Sequence, residues 1–282
     1  MTIENKIKLL DGNSIPQLGF GTYLSEPDDC YNSVLCALEC GYRHIDTAAF
    51  YQNEDAVGRA VRDSGLNRED IFVTTKLWND DQGYDKTMKA FEKSYKALNL
   101  NYIDLYLIHW PIPKGREKDY AQLNDGTWKA FNELKAQGLI RSLGVSNFLP
   151  EHIERLYNAS GVMPVINQIE LHPSLPQWEI VEYCKEKNIA VEAWRPILKG
   201  EADSVPQLVE VAKKHGVTPT QVCLRWELQR GIIPLPKSVT PSRIKQNADL
   251  FGFSLDEEDM QKIASITQKR YGFHPLSFGV RK

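Results

Sequence analysis

Asp46 and Tyr51 stand close together in the stretch Gly41-Tyr42-Arg43-His44-Ile45-Asp46-Thr47-Ala48-Ala49-Phe50-Tyr51. A short apolar run, Arg43–Asp46, stops there on a carboxylate, and a phenol follows in the next loop. Two later apolar runs also stop on titratable groups: Ile71–Lys76 on an ammonium and Ile103–His109 on an imidazole. Brought together, the four make a proton donor. A free phenol near pKa 10 is a poor acid at neutral pH, and an adjacent ammonium favours its anion and lowers that value. Asp46 would hold Lys76 charged and in place. His109, as a neutral N–H donor, would aim a substrate carbonyl oxygen at the Tyr51 hydroxyl. The reaction that suits such a set is protonation of an oxygen while electrons arrive at the carbonyl carbon.

Four groups from distant parts of the chain need a scaffold that brings strand ends together. Eight strand-like runs are visible: Leu18–Gly21, Arg43–Asp46, Ile71–Lys76, Ile103–His109, Ile140–Asn147, Val165–Gln168, Ile189–Trp194 and Ile232–Lys237. Helical patterns separate them. In Tyr84–Leu98, for example, Met88, Phe91, Tyr95 and Leu98 recur at steps of three and four residues, the spacing of one helix face. Eight strands alternating with helices predict an α/β fold of the (β/α)8 TIM-barrel class. A doubly wound sheet also alternates, but it usually opens with a Gly-rich turn, and the chain contains no G-x-G-x-x-G.

Ile7–Leu10 and Ile15–Leu18, joined by Asp11-Gly12-Asn13, predict an N-terminal β-hairpin that closes the bottom of the barrel. A helix is expected from Asp28 to Cys40, ended by Gly41. Capping boxes are expected at Thr218-Pro219-Thr220-Gln221 and at Ser254-Leu255-Asp256-Glu257. In a barrel the chemistry sits at the carboxyl ends of the strands. Read in order, those ends are Thr22, Asp46, Lys76, His109, Ser146-Asn147, Gln168, Trp194 and Lys237-Ser238. The connection Trp110–Gly126 is long enough to be an active-site loop, and the aromatic tail Arg270–Lys282 is expected to pack over the rim as a C-terminal loop.

The 282 residues, 42% hydrophobic and 25% charged, fit one globular domain spanning 1–282. A net charge of −3 argues against nucleic acid or an anionic membrane as partner. No apolar run is long enough to span a bilayer, and MTIENKIKLL lacks an apolar signal region, so a cytoplasmic protein is expected. Cys36 and Cys40 lie four apart on the expected first helix. No further ligand pair completes a metal site, so all five cysteines are read as buried reduced thiols.

The motifs LGFGT at 18–22, GYRHIDTAAFYQNE at 41–54, TKLW at 75–78, DLYLIHWP at 104–111, GVSNF at 144–148, NQIELHP at 167–173 and LPKSVTPSRIKQN at 235–247 cover nearly the whole chain. In them the chain resembles the aldo-keto reductase superfamily, most closely its diketogluconate-reductase-like and prostaglandin-F-synthase-like bacterial and protist branch. The resemblance implies that Asp46, Tyr51, Lys76 and His109 form a catalytic tetrad with Tyr51 as general acid. It implies hydride transfer between NADPH/NADP+ and a small-molecule carbonyl substrate, with no metal, no covalent intermediate and a monomeric enzyme. It also implies that the cofactor lies extended across the barrel rim, in keeping with the missing glycine fingerprint.

Ser146, Asn147 and Gln168 carry groups suited to the nicotinamide carboxamide, and Trp194 is the ring to stack on the nicotinamide. Thr240 as N-cap and Pro241 at N1 open a helix and create an anion site. Lys237 and Arg243 add positive charge there, which fits a 2′-phosphate. The resemblance adds Gly21, Thr22, Asp46, Pro196, Ile197, Ser238 and Val239 to the cofactor's surroundings, with Asn247 as an adenine partner. Two positions depart from the family pattern. Arg195 replaces the serine expected beside the pyrophosphate and either adds a contact there or obstructs the usual backbone contacts. Gln246 replaces a common acidic residue. Tyr23, Phe50, Trp78, His109 and Trp110, with Tyr271 of the tail, are candidate substrate walls, suited to small aldehydes, α-dicarbonyls or keto-sugars. Lys114, Arg116 and Lys118 read as a solvated loop. Two other readings compete: a non-catalytic NADPH-binding regulatory subunit, and a Schiff-base aldolase using Lys76, which requires a neutral lysine.

Overall fold

Residues 2–278 are described by a computed structural model of the chain. A hairpin of β1 (Lys6–Lys8) and β2 (Ser14–Pro16) comes first, pairing Ile7 with Ile15. It is shorter than the sequence suggests. The Leu9 amide turns in to Asn13 O at 2.9 Å and Gly12 N returns to Leu9 O at 3.0 Å, so the loop takes up Leu9 as well as Asp11-Gly12-Asn13.

Eight parallel strands follow in strict chain order: β3 (Phe20–Gly21), β4 (His44–Asp46), β5 (Phe72–Leu77), β6 (Ile103–Ile108), β7 (Ile140–Ser146), β8 (Ile166–Glu170), β9 (Ala190–Trp194) and β10 (Ile233–Pro234). Closure is made by single bonds. Gly19 N donates to Pro234 O at 3.1 Å and Gly21 N to Pro236 O at 3.0 Å. Prolines at 234 and 236 have no N–H to return, so the last seam carries bonds in one direction only.

The return segments hold α1 (Pro27–Glu39), α2 (Glu54–Asp63), α3 (Tyr84–Leu98), α4 (Tyr120–Ala136), α5 (Pro150–Ser160), α6 (Trp178–Glu186), α7 (Pro206–His215), α8 (Pro219–Gln229), α9 (Pro241–Ala248) and α10 (Glu257–Ala264). The α8 capping box forms as expected, Thr218 Oγ1 accepting from Gln221 N at 3.3 Å. The α10 box is displaced by two residues: Asp256, not Ser254, is the N-cap and accepts from Asp259 N at 3.0 Å. A carboxylate beside the helix N-terminus also complements its dipole, which the Ser254 hydroxyl cannot match. Cys30, Cys184 and Cys223 are buried as read, but Cys36 and Cys40 are only half-buried on α1.

Strand parity sorts the side chains. Val73, Leu77, Tyr106, Ile108 and Val145 face outward into the layer shared with Phe91, Trp128 and Phe131 of the helices. Phe72, Leu105, Leu107, Ile166 and Ile233 face inward and meet Leu9 and Ile15 of the hairpin, which plugs the floor. Continuing the inward rows upward reaches Lys76 on β5 and His109 just past β6. Barrel geometry therefore puts the polar residues of the sequence at the rim and the apolar ones at the floor.

Candidate active site

Lys76 is wholly buried, and its ammonium is held on three sides. Nζ donates to Asp46 Oδ1 at 2.7 Å and to Thr47 O at 2.8 Å, and lies 3.4 Å from the Tyr51 hydroxyl. Asp46 closes β4, next to Lys76's own strand. Tyr51 sits in a short turn at Ala49–Tyr51. The turn is fixed from below by buried Asn53, whose Nδ2 donates to Thr22 O and Ser25 O, both at 3.0 Å, and whose Oδ1 accepts from Thr47 Oγ1 at 2.8 Å. The His109 ring stands edge-on to Tyr51 at 5.9 Å and to Trp78 at 5.2 Å. All four groups named from sequence are thus brought to one rim.

The electrostatics differ from the sequence expectation at one point. Burial raises the Tyr51 phenol, the Lys76 ammonium opposes it, Asp46 adds to the rise, and the net result is a pKa pushed up to about 12. The ammonium therefore limits the rise rather than lowering the phenol below its ordinary value. Tyr51 keeps its proton throughout the neutral range. Burial works against charge on Lys76, but Asp46 and Tyr51 outweigh it and raise its pKa. An ammonium held so firmly is no nucleophile, which disfavours Schiff-base chemistry. His109 is driven well below the ordinary imidazole value, first by burial and then by Lys76, so its ring is neutral.

Ser146, Asn147, Gln168 and Trp194 meet on the opposite arc of the rim. Ser146 Oγ donates to Gln168 O at 2.8 Å, and Asn147 Nδ2 donates to His109 O at 3.0 Å and Ser146 Oγ at 3.1 Å. The Trp194 indole N–H donates to Asn147 Oδ1 at 2.9 Å. Next to Trp194, Arg195 adopts a left-handed backbone, φ 57°, rare for a side-chain-bearing residue. Its guanidinium carbon lies 5.3 Å from the Trp194 ring, and Nη1 is buried without a hydrogen-bond partner. Beyond β10, Thr240 and Pro241 open α9 as expected, although Thr240 gives no side-chain cap and Ser238 Oγ accepts from Thr240 N instead, at 3.0 Å. Lys237 is half-buried and bonds Leu24 O at 3.4 Å, Val239, Arg243 and Gln246 are exposed, and Asn247 is buried.

Phe50 stacks on Trp78 at 3.9 Å, Tyr23 lies 5.0 Å from Tyr51, and Trp110 is pinned by Gln82 Nε2 donating to its carbonyl at 2.7 Å. The ring that closes this wall is Phe278, 4.6 Å from Trp110 and 5.8 Å from Trp78. Tyr271 is not brought to it. Its ring packs on His172 at 5.3 Å and its hydroxyl donates to Glu201 at 2.9 Å. Residues 279–282 of the tail named from sequence lie outside those described.

Buried Glu170 at the end of β8 anchors the tail, accepting from Tyr271 N at 2.7 Å and Gly272 N at 2.9 Å. Gly272 lies so close over Trp194 that a Cβ there would come within 2.3 Å of the indole edge. Sequence reasoning missed both Glu170 and Phe278. An acidic residue inside an otherwise buried strand was the available signal for Glu170, and Phe278 had none beyond its aromatic type.

The profile of the Aldo/keto reductase family matches residues 17–268. An aldo-keto reductase of Mycolicibacterium smegmatis is 50% identical over 97% of this chain and 98% of its own. The methylglyoxal reductase DkgA of Escherichia coli K12 is 45% identical over 97% of this chain and 98% of its own. A solved structure of a Gox0644 mutant in complex with NADPH superposes with a TM-score of 0.90 at 45% identity, covering 99% of each chain.

Proposed function

The chain belongs to the aldo/keto reductase family, and from that premise we propose that it is an NADPH-dependent carbonyl reductase in which Tyr51 protonates the substrate oxygen. The observation that carries this reading is the set of contacts around Lys76, which joins Asp46 to the Tyr51 hydroxyl inside the barrel mouth. His109 orients the carbonyl: with Nδ1 buried and unpartnered, Nε2 is the ring nitrogen left for a substrate oxygen. As negative charge develops on that oxygen, Tyr51 transfers its proton and Lys76 steadies the phenolate left behind. Asp46 keeps Lys76 charged and in place. Hydride for the carbonyl carbon is the chemistry that NADPH brings when bound. The aromatic wall of Phe50, Trp78, Trp110 and Phe278 excludes water from the exchange.

The residues along the rim fit that cofactor. Gln168 has its N–H groups engaged below, which leaves its carbonyl for the carboxamide amine; Ser146, Asn147 and Trp194 complete that end, beside Gly21, Thr22, Pro196 and Ile197. Lys237, Ser238 and Val239 before α9, with Arg243 in its first turn, would take the 2′-phosphate, and Gln246 and Asn247 the adenine. The buried Nη1 of Arg195 is a donor without an acceptor, and a bound cofactor's pyrophosphate would supply one. Replacing Arg195 with Ser is expected to weaken NADPH binding about tenfold or more, read from quenching of tryptophan fluorescence. Equal dissociation constants would remove Arg195 from the cofactor site.

Small aldehydes and α-dicarbonyls are the proposed substrates. They suit an aromatic slot with one polar corner, and the relative from Escherichia coli K12 carries the name methylglyoxal reductase. On this reading residues 1–282 form one catalytic domain that works as a monomer in the cytoplasm. The test is loss of NADPH absorbance across a panel of aldehydes, α-dicarbonyls, keto-sugars and ketones. Turnover is expected with the α-dicarbonyls, and a protein that binds NADPH yet turns over none of the panel would be a regulatory subunit instead.

A further inference from the structure

Beneath the tetrad the barrel holds a second carboxyl group that the reaction above does not use. Glu192 lies in the middle of β9, wholly buried, in register with Gln168 of β8 on one side and Ile233 of β10 on the other. Gln168 Nε2 donates to Asp46 Oδ2 at 2.8 Å and to Glu192 Oε2 at 2.9 Å, so one amide nitrogen bridges two carboxyl groups. The other Glu192 oxygen, Oε1, is buried without a hydrogen-bond partner, and His44 Nε2 stands 3.6 Å from it. His44 is in turn fixed by Thr74 Oγ1 at 3.0 Å and hemmed in by the chain at Gly19, where a Cβ would meet its Nδ1 at 2.5 Å. Two carboxyl groups sharing one buried amide cannot both ionise without a large desolvation and repulsion cost.

We propose that Glu192 is a positioning residue for carbonyl reduction, acting through Gln168 on Asp46, and that reduction is fastest while Glu192 holds its proton. This rests on the reductase reading given above. Burial first, and the Asp46 carboxylate second, raise Glu192 to about 8, with Gln168 and Lys76 opposing. The charged and titratable groups that face it are His44 and Asp46 from β4 and Lys76 from β5. From β8 come Gln168 and, two residues on, Glu170, which is engaged by the tail; β10 presents Ile233. His44 stays neutral, its pKa lowered to about 3 by burial and then by Lys76. Asp46 is the carboxyl group in contact with Lys76, and the Gln168 bridge holds it in place. Ionised Glu192 competes for that bridge and for Lys76, and its charge makes Tyr51 hold its proton more tightly.

In the wild type, kcat for methylglyoxal reduction is expected to fall on the order of fivefold as pH rises through about 8. Glu192→Gln keeps the hydrogen-bonding shape and removes the titration, so its profile is expected to stay level through that region, with NADPH affinity unchanged. Superimposable profiles would overturn the proposal. Stability gives a readout that does not depend on turnover. The native state holds the Glu192 proton more tightly than the unfolded chain, so its contribution is complete below the ordinary carboxylate range and is lost as pH rises to about 8. The Tm of wild type minus that of Glu192→Gln is therefore expected to decrease between pH 5 and about 8.5, and a constant difference would also overturn the proposal. Should the variant fail to fold, the infrared band of protonated carboxyl groups decides, recorded in a Glu227→Gln background because burial also raises that carboxyl group: loss of intensity across pH 8 supports the proposal and constant intensity refutes it. If wild-type protein turned over no carbonyl, the reductase reading would fail while the infrared and Tm results still located the proton.

Discussion

Tyr51→Phe is expected to lower kcat for carbonyl reduction by about 10²–10⁴-fold while leaving NADPH binding and the unfolding midpoint close to wild type. The substitution deletes one oxygen and leaves the ring, its packing on Tyr23 and its edge contact with His109 in place. Lys76 keeps its bonds to Asp46 and Thr47. The loss therefore isolates proton donation from pocket shape, and single-turnover rates with saturating cofactor give the cleanest reading. Wild-type turnover by Tyr51→Phe would mean that another group, or water, delivers the proton.

Lys76→Met carries two losses at once. Without the ammonium, burial raises Tyr51 unopposed by its main stabilising charge, so reduction slows even though the phenol remains. Asp46 is meanwhile left buried, with the Gln168 amide still bound to it but no counter-charge. Removing one partner of a buried ion pair costs about 3–5 kcal/mol, and the urea midpoint should fall accordingly. A Lys76→Met/Asp46→Asn double variant is expected to recover much of that stability and none of the activity, because the uncompensated charge goes but the proton donor's neighbour does not return. A double variant as unstable as the single would assign the loss to packing of the lysine stem instead.

The strands, the rim and the grouping of Asp46, Tyr51, Lys76 and His109 were legible in the sequence because barrel strands are buried runs that end on polar groups. Arg43–Asp46 and Ile71–Lys76 needed no contact information to be read. The hairpin ends and the α10 cap were not, since Leu9 and Asp256 are placed by hydrogen bonds that compete locally with equally plausible ones. Depth was not legible either. A neighbouring lysine argues for a more acidic Tyr51, and burial, with Asp46 adding to it, reverses the sign. Glu192 was not singled out from sequence, where it is one acidic residue in an apolar run; its link to Asp46 through Gln168 joins β9 to β4 across the barrel, which spacing along the chain cannot reveal. Likewise Tyr271 and Phe278 are both tail aromatics, and the anchor at Glu170 decides which of them reaches Trp110.

The most direct test follows the hydrogen itself. Wild-type protein, methylglyoxal and NADPH deuterated at the transferable C4 position should yield an alcohol bearing one deuterium at the former carbonyl carbon, one for each NADPH oxidised. NADPH oxidised without deuterium in the alcohol, or no oxidation at all, would contradict direct hydride transfer at this rim.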